Sequence, residues 1–282
     1  MNRRRGPRVA ALVEAGAAPG RNPVLRGLAE VLAGHGVALD LVDATVPWLV
    51  NAGSHDTVGG GPEADLWLLK GDHPAVLARA GILADGGARC LNDYDRTARA
   101  ADKSRALAIL HRAGVAVPAT LVVADGDSVA HLLEHADGPR FVKPLRGAHG
   151  VGAGLLHPGQ RPPVAVEGPW LVQEVVTGDG LDVKVYGVAE RCAVRRSVFS
   201  PGCLDGTRIP DHRPDPALVR TAIAAAQALE LTCWGVDLLI GVDGPVVVDV
   251  NAFPGYRTVD DAPGWLADAV LGELPTRARR TA

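Results

Sequence analysis

This chain of 282 residues is short of aromatic side chains and has no excess of positive charge. Three Phe, three Tyr and five Trp amount to 4% of residues, so a core must be built mostly from Val, Leu, Ala and Ile. The formal net charge is −3, which supplies no whole-molecule positive field and argues against a nucleic-acid partner. No apolar run approaches the roughly 18 residues that a membrane span needs, so no membrane partner is expected. The segment 9–18 follows Arg3-Arg4-Arg5, yet it holds Glu14 and lacks the apolar middle of a secretory signal. The arginine run itself reads as a solvated tail. Cys90, Cys192, Cys203 and Cys233 show no C-x-x-C spacing, which argues for free thiols in the cytoplasm rather than zinc or disulfides. There is no internal repeat. The 34 Gly and 21 Pro are scattered between periodic segments and read as turns.

What the chain does have is alternation of strand-like and helix-like patterns. Segments 9–13, 37–42 and 65–70 read as strands, and 22–34 and 74–81 as helices. Together they predict a small parallel α/β layer, with the Gly-rich stretch 44–64 as a mobile loop. From Asp95 the texture changes. A helix is predicted over 96–114 and another over 128–135, with strands at 119–124 and 139–143. Strands at 170–176, 181–188 and 192–198 follow, then an Ala-rich helix over 216–229. The last strand pair, 234–240 and 245–250, is joined by a hairpin turn at Val242-Asp243-Gly244. Three units are expected, at 1–94, 95–175 and 176–282, each of mixed α/β content and large enough together for a sizeable core.

Three segments carry chemistry. In Phe141-Val142-Lys143-Pro144-Leu145-Arg146-Gly147-Ala148-His149-Gly150-Val151-Gly152, a strand delivers a lysine to a glycine-rich loop. Glycines let backbone N–H groups approach phosphate oxygens, and the lysine adds a point charge. The pattern is not the G-x-x-x-x-G-K-[ST] phosphate loop, and a Gly-rich turn beside a surface lysine is the plain alternative. In Trp170-Leu171-Val172-Gln173-Glu174-Val175-Val176, an apolar strand carries a polar pair where a purine could meet backbone groups, or it is simply a buried strand. The third segment is the strongest. Asp249 and Asn251 lie two apart on a strand and so share a face, and Asp237 on the hairpin partner can join them. Two carboxylates and an amide oxygen suit Mg²⁺. Asp249 as a turn cap is the alternative, but a carboxylate after three valines is costly without a cation or strong partners.

In this order and spacing, the segments resemble the ATP-grasp superfamily over about 92–259, with Asp249-Val250-Asn251-Ala252-Phe253-Pro254-Gly255-Tyr256 the most specific piece. The resemblance implies a small N-terminal α/β domain and two lobes enclosing ATP. It implies nucleotide contacts for Lys103, Lys143, Gly147, Gly150, Gly152, Gln173, Glu174 and Val176, and magnesium at Asp237, Asp249 and Asn251.

Within the superfamily, the chain looks most like the inositol-polyphosphate kinases. Ala148-His149-Gly150, the strand 181–188, the basic strand Ala193-Val194-Arg195-Arg196-Ser197 and the loop 251–256 carry that likeness. It implies a phosphorylated polyol, a small anionic acceptor, at Lys70, His149, Lys184, Arg196, Asn251 and Gly255, with Lys184, His149 and Arg196 nearest the chemistry. Arg195 and Arg196 are adjacent, so one faces the cleft, and Arg196 is the arginine chosen. A plain ion pair remains open for Lys184, and a turn histidine for His149. The second resemblance is to alpha-L-glutamate ligases, which join a carboxylate to an amine through an acyl phosphate. The stretch 200–213 lacks the Asn-x-x-[KR]-Gly-Gly loop of those ligases. A nucleotide-binding regulator without turnover is disfavoured because Lys143, Asp237, Asp249 and Asn251 are all present. A monomer or a homodimer is expected.

Overall fold

A computed structural model describes residues 6–14, 22–48, 63–146, 151–198, 208–209, 215–256 and 259–274. The first unit alternates strand and helix. It comprises β1 (Arg8–Val13), α1 (Pro23–Gly34), β2 (Ala38–Asp43), β3 (Leu66–Leu69), α2 (Pro74–Asp85) and β4 (Cys90–Leu91). Its strands form a parallel sheet in the order β2-β1-β3-β4. The central strand β1 is buried on both faces, which explains its unbroken apolar run.

Two helices lead out of this sheet, α3 (Tyr94–Ala101) and α4 (Lys103–Arg112). The single helix read over 96–114 is broken at Asp102, whose backbone is extended at φ −89°, ψ 95°. The Asp102 side chain accepts from the Arg105 N–H and so starts a new helix, as Asp93 does for α3. The central lobe then adds β5 (Thr120–Val123), α5 (Gly126–Glu134), β6 (Arg140–Pro144), β7 (Gly154–Leu156) and β8 (Trp170–Glu174). These strands make an antiparallel sheet, β5-β8-β6-β7. Val129 and Leu133 seat α5 on Val142, Trp170 and Val172.

The last lobe holds β9 (Gly178–Val188), β10 (Arg191–Val198), β11 (Arg208–Ile209), α6 (Pro216–Ala228), β12 (Cys233–Gly241), β13 (Gly244–Ala252) and α7 (Ala262–Glu273). Its antiparallel sheet runs β11-β10-β9-β12-β13. One face carries Val183, Val185, Val194, Val236, Leu238, Val247 and Val250, packed on α6 and on α3 and α4. That leaves the other face for polar work. The hairpin between β12 and β13 closes as the sequence predicts, with Gly244 at φ 119°.

The strands β4 and β11 span two residues each, too short for alternation to reveal, and β7 is a three-residue strand following the glycine loop. Helix α7 also escaped the sequence reading, because its apolar residues are distributed around it. It packs on α1, and Leu266, Ala267 and Val270 join Leu25, Leu28 and Leu32 in the first sheet's core. Buried Asn92 adds a second tie. Its Oδ1 accepts from the Thr232 and Cys233 N–H groups, and its Nδ2 donates to the Cys233 carbonyl at 2.8 Å. Among the described residues no helix is long and apolar enough to cross a membrane.

Candidate active site

The polar face of the five-stranded sheet is organised by register. Arg195 pairs with Lys184, Lys184 with Asp237, and Asp237 with Asp249. Directly paired residues of antiparallel strands project to the same side, so these four side chains form one row across β10, β9, β12 and β13. The next row holds Tyr186, Gly235 and Asn251. Asp237, Asp249 and Asn251 therefore share this face of the sheet in adjacent rows.

Burial sets the electrostatics of the row. It pushes the Asp237 carboxyl up to about 6, against the opposing pull of Lys184, and Asp249 adds to the rise. Burial alone would lower Lys184, but Asp237 and Asp182 outweigh it and hold its ammonium protonated well above the ordinary range. The Lys184 Nζ lies 2.7 Å from Asp237 and 4.0 Å from Asp182. An ammonium thus supplies the counter-charge that the half-buried carboxylate requires. Two carboxylates and an amide oxygen on one face form a hard donor set that fits a divalent cation such as Mg²⁺.

A second lobe supplies the facing cations. Between Asp237 and Leu238 the ladder with β13 shifts, leaving Val248 as a bulge residue. Its freed carbonyl accepts the Lys143 Nζ at 2.8 Å, from β6 of the central lobe. Lys143 is 8% exposed, and burial lowers its pKa. Asp249 and Asp237 oppose that fall, while the Lys103 charge reinforces it. Lys103 at the start of α4 and Lys143 thus reach the same charge cluster from two elements. Phosphate oxygens suit the gap between such lysines and the carboxylates.

The remaining sequence-predicted residues are placed as follows. Arg196 pairs with Val183 and so projects from the α6 side of β10, away from the row. The arginine on the polar face is Arg195, a residue the sequence could only offer as one of two. Lys70, at the end of β3, donates to the Phe253 carbonyl at 3.0 Å and sits 5.7 Å from the centre of the Phe253 ring. It pins the loop that follows Asn251 to the first sheet. Exposed Gly255 lies in that same loop. Gln173 is buried and donates its Nε2 to the Thr120 hydroxyl at 2.9 Å. Glu174 is exposed at the end of β8, and Val176 lies beside Gly241 of β12. Gly152 adopts φ 76°, and a Cβ there would meet Val166 at 3.0 Å. Gly147, His149 and Gly150, with most of the stretch 200–213, lie outside the described residues. The Lys184–Asp237 bond and Asp182 make Lys184 an ion-pair member, the option left open for it.

A RimK-like ATP-grasp domain matches residues 100–270. The chain is 31% identical over 196 residues to a probable alpha-L-glutamate ligase from Shewanella loihica, covering 63% of this chain and 64% of that protein. It spans less than two thirds of the length of this and similar relatives. Among solved structures, an ATP-grasp RimK domain protein from Sphaerobacter thermophilus matches with TM-score 0.71 at 23% identity, covering 94% of this chain and 100% of that one. The ATP-grasp ligase PsnB, complexed with minimal precursor, Mg and ADP, matches with TM-score 0.62 at 18% identity over 96% and 98%. These likenesses establish the fold of the three sheets. The family model carries the second resemblance further than the first, since no likeness to an inositol-polyphosphate kinase stands beside these. The chain belongs to the RimK-like ATP-grasp family.

Proposed function

We propose that the protein is an ATP-dependent ligase that joins a carboxylate to an amine through an acyl phosphate. The observation that carries this reading is the charge on the polar row, in a chain of this family. A polyphosphorylated acceptor calls for a deep basic cup. The row instead mixes Arg195 and Lys184 with Asp237 and Asp249, and Asp182 lies beside Lys184 on the same face, a charge balance suited to one carboxylate. The Shewanella loihica relative is named a probable alpha-L-glutamate ligase, which supports an amino acid as one reactant. This replaces the kinase reading as the better-supported one.

In this mechanism Lys103 and Lys143 hold the ATP phosphates, and Lys143 keeps the central lobe against the Val248 bulge while doing so. Asp237, Asp249 and Asn251 would hold Mg²⁺, which would supply positive charge against the ATP phosphates when bound. Arg195 and Lys184 orient the substrate carboxylate towards the γ-phosphorus. A carboxylate oxygen bonds to that phosphorus, the bond to the β,γ-bridging oxygen breaks, and ADP leaves with its electron pair. An amine nitrogen then bonds to the acyl carbon, and inorganic phosphate leaves. The amide nitrogen loses a proton to solvent. Positioning and electrostatics supply the rate, with no covalent enzyme intermediate.

The test is ADP release with panels of carboxylates, amino acids and phosphorylated polyols, run with hydroxylamine present. A ligase yields a hydroxamate from the acyl phosphate and, with amine, an amide. A stable polyol phosphoester without hydroxamate would reinstate the kinase reading.

A further inference from the structure

The last turn of α5 and its C-cap His135 carry a cluster that the nucleotide site does not use: His131-Leu132-Leu133-Glu134-His135. On a helix, positions i, i+3 and i+4 share a face. The ligand atoms of His131, Glu134 and His135 all lie within 4.8 Å of one another, and all three residues are exposed. The two imidazole centres are 4.9 Å apart, and the His131 Nδ1 lies 3.7 Å from the Glu134 carboxylate.

One ring is already set for a ligand. The His135 Nδ1 lies 3.0 Å from the His131 carbonyl oxygen. A carbonyl only accepts, so in the neutral ring this bond puts the proton on Nδ1 and leaves Nε2 with the lone pair. Ligating histidines are commonly held this way, with the far nitrogen bonded to a backbone carbonyl. The end of a helix also favours positive charge. The helix beneath is fixed, because Val129 and Leu133 are fully buried against Val142, Trp170 and Val172. Lys143 alternates with Val142 along β6 and so leaves the opposite face of that sheet. The cluster is therefore separate from the nucleotide site.

We propose that His131, Glu134 and His135 form a surface site for a divalent transition metal such as Zn²⁺, distinct from the site for Mg²⁺. Two imidazole nitrogens and one carboxylate oxygen select borderline cations over hard ones, and three protein ligands leave a position for water. This assignment does not depend on the ligase reading.

The test uses the full, tag-free chain with Mg²⁺ and ADP saturating, so that the oxygen donors of the nucleotide site are engaged. Zn²⁺ is titrated by calorimetry into the wild type and into the His131→Ala/His135→Ala double variant. The expected result is one Zn²⁺ per chain in the wild type and an affinity weaker by about tenfold or more in the variant, since loss of even a supporting partner costs that much. Added Zn²⁺ should raise the melting temperature of the wild type and not of the variant. Without Zn²⁺ the two should melt alike and release ADP at equal rates, which shows that the variant is folded. Equal Zn²⁺ affinity in both proteins, or none in the wild type, would overturn the site.

Discussion

The Lys143 ammonium donates to the Val248 carbonyl at 2.8 Å, which joins β6 of the central lobe to the bulge of β13. The bulge matters twice. It frees a carbonyl that a regular ladder would have consumed, and it sits immediately before Asp249 on the same strand. The proposed nucleotide contact Lys143 is for that reason held at the residue next to the proposed metal contact Asp249.

Replacing Lys143 by Met should therefore cut activity far more than stability. The ammonium is desolvated, so its removal relieves a burial cost while losing one charge-assisted bond worth about 1.5–3 kcal/mol. Those effects offset in the fold and do not offset in phosphate binding. ADP release should fall by about a hundredfold or more, with a melting temperature close to wild type. Parallel kinetics and thermal melts check both halves.

Arg195 and Arg196 should separate cleanly. Arg195→Ala should raise the KM for the carboxylate by about tenfold while ATP affinity changes little, in keeping with about 1.4 kcal/mol for a lost charged contact. Arg196→Ala, on the α6 side, should show its effect in thermal stability. Steady-state kinetics with each substrate varied in turn decide the matter. An acceptor effect from Arg196 and none from Arg195 would contradict the register argument.

Asp237 gives the metal-free protein a distinctive pH response. Its folded value of about 6 lies above the ordinary 3.8, so the fold favours its protonated form. That contribution is fully present below about 3.8 and is lost as pH rises through about 6, an effect on the order of 3 kcal/mol at full extent. Asp237→Asn removes the titration. Denaturant melts without metal should show the variant gaining on wild type as pH rises from about 4 to 7. A constant difference between the two would place the Asp237 carboxyl elsewhere in its titration.

Asn92→Ala should be among the more damaging single changes outside the site. It leaves the Thr232 and Cys233 N–H groups without their buried acceptor, while the Cys233 carbonyl keeps the Phe253 N–H. At about 1–3 kcal/mol for each unsatisfied buried group, the expected loss is several kcal/mol, read as a lower melting temperature. Sequence offered no signal for this residue, since an Asn before an Asp-capped helix reads as a turn.

Much of the architecture was legible because local patterns and global packing agree. The apolar run of β1, the Asn22 cap of α1 and the hairpin turn at Gly244 are each fixed by neighbouring residues. Asp249 and Asn251 share a face by alternation alone. Helix α7 shows where such reading stops: its partner α1 is more than two hundred residues away, and nothing local announces that contact. The same holds for the break at Asp102, where the cap that starts α4 prevails over continuous helical periodicity.

By itself, the sequence determined the longer strands and helices and which residue types could meet ATP and a divalent cation, because periods of 2 and 3.6 are properties of a local segment. Tertiary structure alone decided that Arg195 rather than Arg196 joins Lys184, Asp237 and Asp249, and that Lys143 meets Val248. The reason is parity. Adjacent residues of a strand point to opposite faces, and which of them faces the site is set by pairing with strands distant in sequence and by a single bulge that shifts the count by one.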